Sequence, residues 1–355
     1  MSFLTFTFSL GLLAAILSSV PFVTRSSESF GINVGTKLSG AKQILKWKRQ
    51  YAFLMGLLAI ALFLVSFIFS WFSSLLLFYT ACSFGIYLVY HFRTKIFKKQ
   101  QIVEGNLQEQ AMVIVEASGS QHKWVISGWY YLIPFLFFLL TVFLTIIFYE
   151  QAPAKLPAYW KLNGIFETEK AKTPFSASIW LGSQLLAILT FLGLHATIQK
   201  SKRIIDQDDP EISLERMKRS RRLYSKIMFG ASLLTVLFFG FLQCSFLLDW
   251  SSSAVQVVSR LLWLLLPACL LWMTFFIGQG GSRLKVMGIR RERKIVQKDD
   301  RYWKLGIFYF NRSDSALFVE KRFGIGWTVN LGRPIVWIIL FVVLALAGIK
   351  QFFFS

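Results

Sequence analysis

Three histidines (His91, His122, His195) and three cysteines (Cys82, Cys244, Cys269) are the residues best suited to metal or nucleophile chemistry. Their spacing supports neither. There is no His-Glu-x-x-His, no Cys-x-x-Cys, and each cysteine sits in an apolar run, where a thiol behaves as a small hydrophobe. The run Gly278-Gln279-Gly280-Gly281 lacks the following Lys-Ser/Thr of a phosphate-cradling loop and reads as a turn. No Gly-x-Ser-x-Gly elbow occurs. Carboxylates, the other candidates for acid–base work, avoid the long apolar runs. Glu150 and Asp249 stand at their edges, and Arg260 lies about one turn inside one of them, close enough to snorkel. Pumps and intramembrane enzymes usually need ionisable groups at bilayer depth, where such groups are costly. The expectation is therefore a chain that is not an enzyme, with no metal and no cofactor.

The elements around these residues are written in the composition. The chain has 355 residues, 55% of them hydrophobic, a mean hydropathy of +0.54 and a formal charge of +21. A soluble domain cannot hide that much apolar surface. Charges cluster between apolar runs, so the fold class expected is an all-α membrane protein. A span needs about 20 residues. The runs predict about eight transmembrane helices, near 3–23, 51–70, 75–91, 129–149, 178–197, 227–248, 257–278 and 334–354. The first is expected to be retained, because the first basic residue, Arg25, follows the run rather than preceding it as in a signal peptide. Residues 51–91 hold no charge before His91 and would reach roughly 60 Å as one helix, so a reversal is expected at Ser70–Ser74. Loops that alternate to one side carry 33 Lys and Arg against 5 on the other. By the positive-inside rule the four basic loops are cytoplasmic and both termini lie outside. The same clustering favours anionic headgroups, not nucleic acid, as the partner of the charge.

The basic loops have their own patterning. Residues 36–50 suit a helix lying in the interface plane, with Leu38, Ala41, Ile44 and Leu45 opposite the lysines. Asp208-Asp209-Pro210-Glu211 reads as a helix start that continues into the sixth span. A small hairpin is expected over 111–127. The segment 300–333 is expected to be a small cytoplasmic β-like element between the bundle of 1–299 and the last helix, with strands at 306–310, 317–322 and 327–331 separated by turn residues. Its candidate contacts for a cytoplasmic protein or lipid are Trp303, Lys304, Asn311, Lys321, Arg322 and Trp327. Glycines and prolines inside spans (Gly56, Gly85, Pro134, Gly193, Gly230, Gly240, Pro267) leave a transporter, or an accessory subunit of one, as the alternative.

Outside, only the segment from Glu150 to Phe175 is long enough to hold a site. It carries Tyr149-Glu150, Pro153, Pro157, Tyr159-Trp160, Asn163-Gly164 and Glu167. Prolines and Asn-Gly predict an ordered hairpin. The segment resembles the extracellular motif of a bacterial family catalogued as domain of unknown function 1648, in which Tyr-Asp, Leu-Pro, Pro, His-Trp/Phe, Asn-Gly and Asp recur between two helices. Tyr159 stands where that family usually has His, and Ala152 where it has Leu. Any chemistry carried by that His is missing here. The stretch from Asp300 to Pro334 resembles a second small uncharacterised domain of Gram-positive membrane proteins, and Phe30-Gly31-Ile32-Asn33-Val34 resembles a Phe-Gly-Val segment that follows the first helix in relatives.

The best-understood branch of that family is the Sdp-type immunity protein, which protects its producer from a secreted peptide toxin and sequesters a repressor at the membrane. The resemblance implies a multi-pass cell-membrane protein of immunity or signalling. An extracellular peptide or envelope component would meet Glu150, Pro153, Pro157, Tyr159, Trp160, Asn163, Gly164 and Glu167.

Overall fold

A computed structural model describes residues 3–25, 27–110, 124–160, 166–202, 210–248, 250, 278–286, 295–297 and 299–341, with individual positions between 255 and 277. Among these, six helices are long and apolar enough to cross a membrane. The chain forms two compact units. One comprises Met1–Ser118, Lys200–Met217 and Ile277–Ser355, the other Gly119–Gln199 and Lys218–Phe276.

The first unit is built on α1 (Phe3–Val23), α3 (Lys42–Val65) and α4 (Phe72–Val103). Phe6, Leu10, Leu62 and Tyr79 pack together along them, and the Tyr79 hydroxyl donates to the Met55 carbonyl at 3.3 Å. Apolar content alone does not set the ends of these helices. The surface helix expected over 36–50 is instead the short α2 (Gly35–Ser39), a break at Gly40–Ala41, and the opening turns of α3. Lysines, arginine and glutamine from 42 to 50 are good helix formers with no breaker among them, so the helix starts nine residues before the charge-free run. Likewise α4 runs twelve residues past His91 through Arg93, Lys95, Lys98 and Lys99. The reversal between α3 and α4 begins at Ser66, whose hydroxyl caps back onto the Phe63 carbonyl at 2.6 Å.

Between α1 and α2 a tight hairpin pairs β1 (Glu28–Ser29) with β2 (Ile32–Asn33). Two further hairpins form the C-terminal element. β7 (Trp303–Lys304) pairs with β8 (Phe308–Tyr309), and β9 (Phe318–Glu320) pairs antiparallel with β10 (Trp327–Val329). A short parallel pair joins β3 (Gln108–Gln110) and β6 (Ile295–Gln297). Residues 334–341 are helical. The rest of the eighth expected span, ten residues of the seventh, and residues 111–123 of the expected hairpin lie outside the described residues.

The second unit holds α5 (Leu132–Phe148), β4 (Lys155–Trp160), β5 (Phe166–Ala171), α6 (Pro174–Ala177), α7 (Ile179–Lys200) and the apolar part of α8 (Pro210–Leu247). Its interior is tied by amides. Gln184 on α7 donates to the Val236 carbonyl of α8 at 2.9 Å and to Thr141 of α5 at 3.2 Å. Gln243 on α8 donates to the Ala177 carbonyl at 2.8 Å and to Thr145 of α5 at 3.1 Å. Apolar side chains gain little by meeting one another in lipid, so such bonds and close packing hold helices together. Gly240 belongs to the same seam: a Cβ there would stand 2.8 Å from the Gln184 amide. Replacing Gln243 with Leu should cost about 1 kcal/mol, read as a lower midpoint in a detergent-unfolding titration. An unchanged midpoint would mean the seam rests on packing alone.

Candidate functional site

The most concentrated chemistry lies where the β1–β2 turn, the charged end of α4 and the C-terminal element of the first unit meet. Phe30 and Gly31 make the turn, both with positive φ, 46° and 78°. That suits a two-residue hairpin, but a phenylalanine pays strain there that glycine or asparagine would not. Surrounding contacts hold it. The Phe30 ring is fully buried against Tyr51, Tyr90 and Phe323. Its carbonyl accepts from His91 Nδ1 at 2.8 Å and from the Tyr87 hydroxyl at 3.4 Å. A carbonyl can only accept, so His91 carries its proton on Nδ1. Tyr87 shares that single hydroxyl proton with the Leu305 carbonyl, at 2.8 Å the shorter of the two contacts. Gly31 and Gly306 press back to back: a Cβ on Gly31 would meet Gly306 Cα at 2.7 Å. Glycine is needed at both positions for that approach.

Beside this turn lies a buried charge cluster. Arg322, 2% exposed, reaches Asp299 through Nη2 and Asp300 through Nη1, and its Nε is 3.8 Å from Glu28 Oε1. Its guanidinium lies 5.2 Å from the centre of the Trp303 ring. Lys98 from α4 holds the other Asp300 oxygen at 2.7 Å. Arg25, just past α1, pairs with Glu320 on β9. Gln279 makes a two-way bond with Gly326, donating to its carbonyl at 3.0 Å and accepting from its N–H at 2.8 Å. Residues nearly 300 positions apart are thus held by ion pairs in a largely buried site.

Protonation follows from the geometry. Burial pushes the Glu28 carboxyl up to about 8, against the opposing pull of Arg322 and Arg25. Burial also raises Asp300, but Arg322 and Lys98 overcome it and leave that carboxyl below its ordinary value. Arg322, whose charge burial disfavours, is held cationic by Asp299 and Asp300.

A second polar centre organises the loop between β8 and β9. Asn330, fully buried, donates through Nδ2 to the carbonyls of Asn311 at 2.8 Å, Ala316 at 3.1 Å and Asp314 at 3.2 Å. Its Oδ1 accepts from the N–H groups of Asn311 and Gly332, each at 3.0 Å. Asp314 accepts from the Tyr309 hydroxyl at 2.7 Å and pairs with Lys202 at 2.5 Å.

Among the residues expected from sequence to meet a partner, Trp303 and Arg322 are buried and spent inside the protein, and Asn311 braces the Asn330 loop. Lys304 and Lys321 are exposed, and Trp327 is half-buried on β10. In the second unit, Pro157, Tyr159 and Trp160 lie on β4 and Glu167 on β5. Pro157 is opposite Glu169, Tyr159 opposite Thr168 and Trp160 opposite Phe166. Glu150 is exposed and Pro153 half-buried, while Asn163 and Gly164 lie outside the described residues. The hairpin's base is fixed by a residue that sequence reasoning passed over. Lys172 donates to the carbonyls of Tyr149, Glu150 and Ala152 at 3.0–3.3 Å, just beyond α5, where a cation suits the helix dipole. Glu28, Lys98, Asp299 and Asn330 were also missed. The available signal was local: a charged pair, Asp299-Asp300, opening a segment rich in aromatics and glycines.

A family described as a family of unknown function (DUF5808) matches residues 312–337. The matched stretch carries Arg322, Asn330 and the first turn of the last helix. No curated protein matches the chain, and no solved structure does.

The pH response has a definite sign. From about 4.5 to about 8 the folded chain holds a proton on Glu28 that the unfolded chain has released, so this group makes stability fall as pH rises through that window and level off above it. Asp300 acts oppositely: its contribution is present above the ordinary aspartate value and is lost as pH falls through its lowered value. Glu28→Gln should therefore flatten the loss of melting temperature between pH 5 and pH 9 in detergent. Parallel curves for wild type and variant would contradict the assignment.

Proposed function

We propose that this chain is a multi-pass cell-membrane protein that binds and reports, as an immunity or sensor protein, rather than one that catalyses. The observation that carries this reading is how the buried chemistry is used. The charged side chains of the cluster point at one another and not into an open cleft, as catalytic groups would have to. They act as a clasp that fixes the C-terminal element to the turn after α1 and to α4. The element's exposed cations, Lys304, Lys321, Arg301 and Arg312, are left for a partner.

In this reading the basic loops and the clasped element are cytoplasmic, and both termini and the β4–β5 hairpin are outside. The 33-to-5 distribution of Lys and Arg supports that orientation. The hairpin is tied at its base by Lys172 and by the packing of Ala152, Leu156, Ala177 and Leu247, and in this reading Tyr159 and Trp160 on β4 would meet a secreted peptide or an envelope component. The resemblance to the Sdp-type immunity proteins points to the same role, and the exposed cations would face anionic headgroups or a cytoplasmic protein.

Two experiments test it in order. Cysteines placed at Lys155 and Lys304 should react with an impermeant reagent differently: the first in intact cells, the second only after permeabilisation. Equal labelling in intact cells would reverse the orientation. Deleting the gene should sensitise cells to at least one member of a panel of secreted peptide toxins, and Trp160→Ala should fail to restore protection at normal membrane levels. Unchanged sensitivity across the panel would contradict immunity.

A further inference from the structure

The basic residues of the C-terminal element are used unevenly. Arg322 is consumed by the clasp. Arg312 and Arg333 line an open cleft of about 680 Å³ with Phe310, Leu331, Trp337 and Ile338. No carboxylate is among its lining residues. Arg312 is exposed, its guanidinium 5.8 Å from the centre of the Phe310 ring, and Arg333 is half-buried. The Trp337 indole N–H donates to the Leu331 carbonyl at 2.9 Å, pinning the indole against one wall.

At Pro334 the chain turns from this polar element into helix. Around that helix start the surface is apolar and mostly exposed: Ile335, Ile338, Ile339, Leu340 and Phe341 are exposed, Phe341 at 73%, and Val336 is half-buried. An apolar helix exposed over most of its surface is accommodated by lipid. Tryptophan at such a boundary sits at headgroup depth. The cleft thus has a cationic lip above an apolar wall, each at the level where the matching part of a phospholipid would lie.

We propose that this cleft binds one anionic phospholipid, with its phosphate on Arg312 and Arg333 and an acyl chain along Trp337 and Ile338. The proposal rests on the membrane reading of the helix that begins at Pro334, and it refines that reading from a general charge preference to one site. Guanidinium groups match phosphate oxygens by paired hydrogen bonds. A zwitterionic headgroup would bring its own cation against two arginines, and a free inorganic anion would leave the aromatic and aliphatic wall unused. The cleft volume falls in the range of sites for small ligands.

The test uses the full chain in detergent, titrated with phosphatidylglycerol or phosphatidylcholine and read by native mass spectrometry. Wild type should retain phosphatidylglycerol roughly 30-fold better, at about 1 kcal/mol for each arginine. Arg312→Gln with Arg333→Gln should abolish that preference. Arg312→Lys with Arg333→Lys should keep part of it, and Arg301→Gln with Lys304→Gln, exposed on the same element but outside the cleft, should keep most of it. Millimolar inorganic phosphate should leave the lipid adducts in place; displacement would assign the site to a free anion and overturn the proposal. So would a wild type that does not discriminate, a Gln pair that still does, or equal loss in the Arg301/Lys304 control. A carbonate wash of native membranes separates the two layers of the argument. A chain that washes off removes the membrane reading along with the lipid site, whereas a chain that stays but shows no preference removes only the lipid site.

Discussion

Burying a guanidinium is expensive, and that cost organises the first unit. Arg322 can be 2% exposed only because Asp299, Asp300 and Glu28 surround it and the Trp303 ring lies beside it. A buried ion pair adds little net stability over a well-packed apolar core, but losing one partner costs about 3–5 kcal/mol, since the remaining charge is stranded. The cluster therefore acts as a specification. The turn after α1, the end of α4 and the C-terminal element are brought together, because separating any one leaves a charge without its counter-ion.

Specification by charge also accounts for the strain nearby. Phe30 keeps a positive φ because its ring is enclosed by Tyr51, Tyr90 and Phe323 and its carbonyl is bonded by His91 and Tyr87. Gly31 and Gly306 allow the two backbones to touch. The second unit uses different means for a similar end. There the polar groups are neutral amides and hydroxyls, Gln184 and Gln243 with Thr141 and Thr145, which tie helices without placing charge among their apolar faces.

Much of the helical architecture was legible in the sequence, because hydropathy is a local property. The stretch Phe3–Val23 could be read directly, as could the helix beginning at Pro210. Helix ends were harder. Lys42–Gln50 and Arg93–Val103 are polar yet helical, since propagation depends on propensity and on neighbours as much as on apolarity. The pairing within the clasp was not legible. Glu28, Lys98, Asp299 and Arg322 lie in four separate stretches, each reading as an ordinary loop charge, and only the fold brings them into contact. The same holds for Gln184 and Gln243. A search for ionisable groups within spans passes over amides, although their hydrogen bonds cross between helices.

The claim that one buried arginine holds three distant segments together is tested most directly by hydrogen exchange on the full chain in detergent, comparing wild type with Arg322→Met. Peptides covering residues 27–34, 94–102 and 299–309 should lose protection together, although they lie far apart in sequence. Loss confined to the residues flanking position 322, with the other three segments as protected as in wild type, would contradict the account.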